Sequence, residues 1–478
     1  MSAATATRPH HSLVAILVIV LAVAVILRSA FALIVTTSLT ADAFRDIHGD
    51  TNGYAKLGQN IAEGDAYAIA FIGPRNKGFL ASGESYNRAI HRGRLRALAR
   101  PPGYPFFLAL HKWGGVSLDG DLRPIVWSQI VFSSLTAGIV GLLAYIILGH
   151  RAAALLAGLF AACSPTAIAS ASLLTPDCVY AFCTTAGFGA FLICATRAVG
   201  NGPRILWSVI AGVFFAASVA LKPAILYWPA LAIPLLLIIR GRGWQSFRDA
   251  GLAFLPMVLF VGFWTAQNYQ REGIATYSTI ATRNLRYDVV IRADLIEQFG
   301  RFPSEERYER TSKLVMLDDN ELLKSRSPDL LAMHQSMGDE IRRCFLSQPM
   351  NVAKVLLANL SEQTTTGWLW IDKQIPQRIS GSKAIYRAFR LTSRDGPIIA
   401  WFLGIFAAIP ICLMRKDQRA VMPLTNCLLG YLYLAAGTAT IHGEGSRLLT
   451  AGEPLCLLLI TATLCHGVEV LRRIRTGG

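Results

Sequence analysis

Long apolar runs alternate with short basic loops along this chain, and the pattern predicts a membrane protein with many spans. About ten runs approach the roughly 20 apolar residues that a helix needs to cross a bilayer. The predicted spans cover 13–35, 124–148, 152–174, two stretches that end near 195 and 221, 225–239, 250–266, 397–413 and two stretches before the C-terminus. The two runs around Lys222 and Pro223 are short, so a single broken hairpin is an alternative there.

The basic loops predict the orientation of the spans. Lysine and arginine concentrate in the loops at 197–204, 240–248 and 415–419 and after the last run. Positive loops face the cytoplasm, so both termini are predicted to be cytoplasmic. Long polar segments at 36–123 and 267–395 then lie outside. We divide the chain into a membrane module at 1–266 that includes the first of these loops, an outer or periplasmic segment at 267–395, and a C-terminal membrane part at 396–478 that holds the last three predicted spans.

Composition agrees with a multi-pass protein and disfavours other classes. The chain is 53% hydrophobic and 16% charged, which is too apolar for a soluble domain of this length. The formal net charge of +16 is explained by the cytoplasmic loops, so we expect no nucleic-acid partner. The nine cysteines form no C-x-x-C pair and indicate neither a zinc site nor a disulfide framework. The first run is too long for the core of a signal peptide and is interpreted as a retained span.

Both outer segments contain helical patterns. Apolar residues recur at helical spacing over 54–62 and 106–113, which predicts two helices that lie in the membrane interface. The later segment predicts a charged, solvated helix from Ser304 to Lys324 and a further helix over 336–360 that is interrupted at Pro349. The fold class is therefore an all-α polytopic membrane bundle with interfacial helices in its first outer loop.

Unusual polar residues gather at the predicted outer ends of the spans. Asp50 lies just beyond the first span, where a carboxylate can act as a general base or bind a cation, or can simply cap the next helix. A rigid turn comes before the second span, because proline fixes the backbone and leaves no N–H to continue a helix. The turn consists of Arg100 and the residues Pro101, Pro102, Gly103, Tyr104 and Pro105.

These motifs resemble the GT-C glycosyltransferases of the family-39 type, which include the dolichyl-phosphate-mannose protein mannosyltransferases and the aminoarabinose transferases. The likeness begins with GDTNGYAKLGQNIAEGDAY and RPPGYPFFLAL. It continues in the same order along the chain. The later matches are SLLTPD up to Asp177, Leu221-Lys222-Pro223, Asn268-Tyr269 with Gly273, and His442-Gly443-Glu444-Gly445-Ser446-Arg447 through Glu453-Pro454. Lys222 and Gln267 stand where the family usually has arginine, and Leu448 stands where it often has tyrosine.

The resemblance implies a GT-C-like bundle of about 10 transmembrane helices and an inverting sugar transfer from a polyprenyl-phosphate donor to an acceptor hydroxyl. Asp50 is then the expected base. Lys222 and Arg447 are expected to bind the donor phosphate. Arg28 is a weaker candidate, with snorkelling to the interface as its alternative, and Arg447 could instead pair with Glu444. The expected pocket-lining residues are Tyr54, Asp177, Asn268, Tyr269, His442 and Glu444.

The resemblance places the enzyme in a cell membrane, which we take to be a bacterial inner membrane, with its active site on the periplasmic face. The acceptor class stays open among lipids, glycans and proteins. We expect no required cofactor, although Asp42, Asp46, His48 and Asp50 leave a divalent cation possible. The alternatives are a transporter or flippase, and a glycan polymerase or ligase with diphosphate-linked donors. Polar residues at span ends rather than at mid-membrane favour the interfacial enzyme over the transporter.

Overall fold

Every regular element in the described part of the chain is a helix, as the apolar pattern predicts. The structure is a computed structural model. It describes residues 11–45, 50–64, 67, 98–196, 200–322, 330–365, 407–408, 410, 418–441 and 450–475.

In the part of the chain that the structure describes, ten helices of the membrane part precede or follow the second outer segment. Among the described helices, five are long and apolar enough to cross a membrane, or six if a bent pair counts as one span. The predicted multi-pass helical fold is thus confirmed, while the number of about ten spans stays a prediction because 397–413 lies almost wholly outside the described residues. The ten helices are α1 (His11–Ser38), α5 (Arg123–Leu148), α6 (Arg151–Ala162), α7 (Pro165–Ala171), α8 (Asp177–Thr196), α9 (Asn201–Leu221), α10 (Trp228–Arg240), α11 (Trp244–Glu272), α17 (Gln418–Thr438) and α18 (Glu453–Arg475).

The third predicted span is a bent pair rather than one straight helix. Helices α6 and α7 meet at an angle of 53° across a short break. The sequence explains the break, because Pro165 cannot continue the helix and Ser164 caps the new one by accepting a hydrogen bond from the Ala167 N–H.

The hairpin around Lys222 divides into two helices. Helix α9 is 21 residues long, whereas α10 has only 13 residues. Between them Lys222 is extended, with φ −147° and ψ 137°, and Pro223–Ile225 forms a single 3₁₀ turn. A residue before proline is driven out of the helical region, which accounts for the end of α9 at this point.

The first outer loop contains helices α2 (Ala41–Arg45), α3 (Thr51–Glu63) and α4 (Gly103–Trp113). The two predicted interfacial helices are α3 and α4, although α4 begins at Gly103 rather than Phe106. They pack closely, since a Cβ on Gly58 would lie 2.8 Å from the Leu108 Cβ and 2.9 Å from the Pro105 carbonyl oxygen. This glycine therefore sets the distance between the two helices.

The second outer segment folds into a small helical unit. Buried apolar residues, among them Val289, Ile296 and Val355, form its core. The unit rests on the membrane bundle where Asn359 Nδ2 donates to the Ala439 carbonyl at 3.0 Å. The predicted interruption at Pro349 is present. Its helices are α12 (Ile280–Asn284), α13 (Ile291–Phe299) after a π-turn at Leu285–Val290, α14 (Glu305–Leu322), α15 (Leu330–Ser347) and α16 (Pro349–Thr365).

Candidate active site

Asp50, which precedes α3, forms an ion pair with Arg100, which lies shortly before α4. Arg100 Nη2 donates to Asp50 Oδ1 at 2.8 Å. Asp50 immediately precedes α3, but its side chain makes no capping hydrogen bond to that helix. The Asp50 side chain is 40% exposed and that of Arg100 is 19% exposed. The geometry thus favours a held, accessible carboxylate over the helix cap, which is the role that Asp50 taken alone would favour.

The guanidinium of Arg100 packs against aromatic rings. Its carbon lies 4.3 Å from the centroid of the Tyr54 ring, in a cation–π arrangement. Tyr54 in turn meets Tyr104 edge to face, with centroids 5.2 Å apart. Burial lowers the pKa of Arg100, but Tyr54 and Asp50 outweigh that effect and hold its pKa above the ordinary value. Arg100 therefore remains a fixed positive charge beside the Asp50 carboxylate.

Tyr104 connects the proline-rich turn to the helix bundle through hydrogen bonds. It is fully buried, and its hydroxyl donates to Gln129 Oε1 at 2.9 Å. Gln129 Nε2 donates onward to the carbonyls of Leu173 at 2.7 Å and Ala171 at 3.2 Å. Burial raises the pKa of Tyr104, so its hydroxyl stays protonated and able to donate. The network ties α4 to α5 and to the segment that leads into α8.

Gly103 brings the same turn against the end of α9. A Cβ at Gly103 would lie 2.6 Å from both the carbonyl carbon and oxygen of Ala220. Only glycine permits this approach of two backbones. The turn that carries Arg100 is thus placed beside the residues that lead directly into Lys222.

Lys222 and Asp177 form the second ion pair of the site. Lys222 Nζ binds Asp177 Oδ1, and the Asp177 side chain is only 1% exposed while that of Lys222 is 19% exposed. Thr51 Oγ1 donates to the Leu174 carbonyl at 3.4 Å, which joins the start of α3 to the segment before α8. The Asp177 charge also acts on the Tyr104 hydroxyl and adds to the rise in its pKa. The two ion pairs therefore occupy adjoining helix ends on one side of the bundle.

Arg28 lies inside the bundle and does not snorkel. It is 1% exposed. Its Nε donates to Ser133 Oγ at 2.6 Å, and its two Nη atoms donate to the carbonyls of Ala24, Ala162 and Ala161 at 3.2, 2.9 and 3.1 Å. The last two carbonyls belong to the C-terminal end of α6. Arg28 thus supplies hydrogen bonds to the carbonyls that the bend after α6 leaves without helical partners.

Of the other predicted site residues, the structure describes Asn268 and Tyr269. Asn268 is 1% exposed, and its Nδ2 donates to the Thr276 and Tyr277 carbonyls at 2.8 and 3.1 Å, so it shapes the turn after α11. Tyr269 is 59% exposed. Outside the described residues lie His442, Glu444 and Arg447.

Among the described residues, no group of three histidine, cysteine, aspartate or glutamate side chains lies close enough to hold a metal ion. Asp46 and His48, which belong to the predicted cation candidates, lie outside that part of the chain. Activity without a metal therefore stays a prediction.

Two residues of the site do not appear among the sequence candidates. From the sequence, Arg100 is only the first residue of the proline-rich turn, and no local pattern indicates its partner. Gln129 is the one described residue that joins Tyr104 to the Leu173 carbonyl. A glutamine within an otherwise apolar run marks a buried hydrogen-bonding role, and that signal was available from the sequence.

The arrangement of helices matches a solved oligosaccharyltransferase. The apo structure of the Archaeoglobus fulgidus oligosaccharyltransferase superposes with a TM-score of 0.53 at 15% sequence identity, covering 98% of this chain and 52% of that chain. The structure of ArnT from Cupriavidus metallidurans bound to undecaprenyl phosphate gives a TM-score of 0.39 at 17% identity, over 92% of this chain and 77% of that one. No protein-family model and no curated protein sequence matches the chain.

These findings define the fold class. The chain spans about half the length of the archaeal oligosaccharyltransferase it matches. The likeness covers nearly all of this chain, so the described bundle has the GT-C fold, which confirms the predicted fold class. At this level of sequence identity the likeness establishes the fold, whereas the reaction depends on the residues of the site.

Proposed function

We propose that this protein is a membrane glycosyltransferase that moves a sugar from a polyprenyl-phosphate donor to an acceptor hydroxyl, with inversion at the anomeric carbon. One observation carries the proposal. A partly exposed carboxylate, Asp50, is held by Arg100 at the same end of the GT-C bundle as the cation of Lys222. A transfer of this kind needs a base and a cation on opposite sides of the reacting carbon.

In the proposed reaction the acceptor oxygen attacks the anomeric carbon, and the bond from that carbon to the phosphate oxygen breaks. Asp50 takes the proton of the acceptor hydroxyl. The phosphate leaves with the bonding electron pair, and Lys222, together with Arg447, stabilises its negative charge. Arg100 orients the carboxylate through the 2.8 Å ion pair and acts as a positioning residue. Tyr54 supports Arg100 rather than the sugar.

Lys222 is paired with Asp177 in this structure. A donor phosphate that arrives beside the pair would share the ammonium group, which has three N–H donors. Asp177 then fixes the lysine near the phosphate and offsets the cost of a charge at the membrane face. We assign Arg28 to the support of the bend between α6 and α7, since two of its four hydrogen bonds go to the Ala161 and Ala162 carbonyls at the end of α6.

The membrane setting agrees with a lipid-linked donor. The fold shared with an oligosaccharyltransferase supports glycosyl transfer as the class of reaction. We further propose that the site faces the periplasm of a bacterial inner membrane, in accordance with the basic loops at the opposite end. The acceptor is a lipid, glycan or protein that reaches the site beneath the second outer segment.

The proposal is tested by incubating purified protein with radiolabelled polyprenyl-phosphate sugars and native membrane extract. We expect one donor to label an acceptor in that extract. Parallel reactions with diphosphate-linked glycans separate this enzyme from a polymerase or ligase. Label transferred only from diphosphate donors, or none from any donor while donor binding is intact, would count against the proposal.

A further inference from the structure

A cluster of arginines surrounds one buried carboxylate at the other end of the bundle. Arg240 Nη1 donates to Asp249 Oδ2 at 2.6 Å, and Arg248 donates to Asp249 Oδ1 through Nε at 3.0 Å and Nη2 at 2.8 Å. Arg204 Nε lies 4.0 Å from Asp249 Oδ2. We call Arg204, Arg240, Arg248 and Asp249 the arginine cluster.

The cluster has more positive charge than its own carboxylate can balance. Three guanidinium groups face Asp249, and Asp249 is the only acidic residue in the stretch 197–250. Arg242 adds further charge to the loop between α10 and α11. The side chains of Arg204 and Arg240 are each 14% exposed and that of Asp249 is fully buried. Excess positive charge at such a partly desolvated site attracts an anion strongly.

The surroundings of the cluster place that anion at a lipid interface. Trp244 is 79% exposed and Phe247 is 49% exposed at the start of α11. Leu206 on α9 and Ile238 on α10 are also exposed, at 58% and 75%. Tryptophan favours the headgroup level of a bilayer, and exposed aliphatic residues on membrane helices face the acyl chains. The arginines therefore lie where apolar side chains give way to polar ones.

We propose that the arginine cluster binds the phosphate headgroup of an anionic glycerophospholipid in the leaflet at the basic end of the bundle. The phosphodiester accepts hydrogen bonds from Arg204 and Arg248, while Arg240 remains on Asp249. The acyl chains lie along the exposed surfaces of α9 and α10, and Trp244 lies at headgroup level. Such a lipid would hold α9 and α11 together at their inner ends. This binding is independent of the sugar transfer proposed above.

The test is native mass spectrometry of the detergent-solubilised protein titrated with phosphatidylglycerol or phosphatidylcholine. Wild type is expected to bind phosphatidylglycerol preferentially. Arg204→Gln removes a cluster charge yet leaves the two close contacts of Asp249 in place, so the variant should fold. Its affinity for phosphatidylglycerol should fall about fivefold, the effect of roughly 1 kcal/mol for one arginine near anionic lipid.

The control variant is Arg472→Gln, which removes an exposed arginine from the last helix at the same predicted membrane face. It should retain wild-type lipid preference. Equal loss in both variants would overturn the proposal, because it would indicate a diffuse charge effect. Unchanged affinity in Arg204→Gln would also overturn it, and so would competition by millimolar inorganic phosphate as effective as competition by the lipid. Circular dichroism and melting temperature confirm that each variant is folded.

Discussion

Arg100 holds the Asp50 carboxylate with a 2.8 Å hydrogen bond while its own guanidinium lies 4.3 Å from the centroid of Tyr54. The carboxylate is thereby fixed in direction without being removed from solvent. Such an arrangement suits a group that must meet a substrate hydroxyl, since its orientation is set before the substrate arrives.

Arg100→Gln should therefore lower kcat about ten- to a hundredfold, because small errors in the position of a catalytic group cost that much. The fall should appear in kcat more than in KM for the acceptor, and Arg100→Lys should restore part of it. Steady-state kinetics with the labelled donor provide the measurement. A variant that loses stability in step with activity would instead show a purely structural role for Arg100.

Lys222→Gln should destabilise the protein, because it leaves the Asp177 carboxylate, 1% exposed, without its cation. Loss of one partner of a buried pair costs about 3–5 kcal/mol. The double variant Lys222→Gln with Asp177→Asn removes both charges and should recover most of the melting temperature.

The same double variant distinguishes the two roles of Lys222. If the lysine contacts the donor phosphate, the double variant should be folded but still weak in donor binding. Normal donor binding in that folded variant would leave Lys222 with a structural role only. Lys222→Arg, which provides the residue usual at this position in the resembled family, should retain binding.

Gly103→Ala should destabilise the contact between the proline-rich turn and α9. The new methyl group would lie 2.6 Å from the Ala220 backbone, and overpacking of this kind costs about 1–3 kcal/mol. Gly251→Ala is the matched control, since nothing lies within 4 Å of its Cβ position. Comparison of their melting temperatures in detergent checks the prediction. Equal melting temperatures would mean that the turn moves aside at little cost.

Arg28→Gln should lower the melting temperature by an amount equivalent to about 3 kcal/mol or more, because several charged hydrogen bonds to buried groups are lost. Donor affinity of the folded fraction should be unchanged. A selective loss of donor affinity at an unaltered melting temperature would return Arg28 to the phosphate-binding residues. Thermal unfolding and donor titration on the same preparation distinguish the two results.

The sequence was sufficient to predict the fold class because apolar length and loop charge are local properties. The interruption at Pro349 and the helix after Asp50 likewise follow from neighbouring residues. The bend between α6 and α7 could not be predicted in the same way. The apolar run predicts one straight span, whereas in the structure the helix breaks before Pro165 and Arg28 binds the carbonyls at the break.

The two ion pairs of the candidate site could not be predicted from the sequence. Arg100 meets Asp50 across fifty residues, and Lys222 meets Asp177 across forty-five. Each residue could be singled out from its local motif, but the partner depends on how helices pack. The backbone contact of Gly103 with Ala220 decides which helix ends adjoin, and no local pattern indicates it.

The central claim is that Asp50 accepts the proton of the attacking hydroxyl, and the transfer activity of Asp50→Asn tests it most directly. Asp121→Asn is the matched control, since Asp121 is also a 40% exposed carboxylate paired with an arginine, Arg123. With the labelled donor and native acceptor, Asp50→Asn should lose at least about a hundredfold in kcat, as expected for loss of a general base, while donor binding and the control variant remain near wild type. Transfer by Asp50→Asn at a rate near wild type would contradict the account.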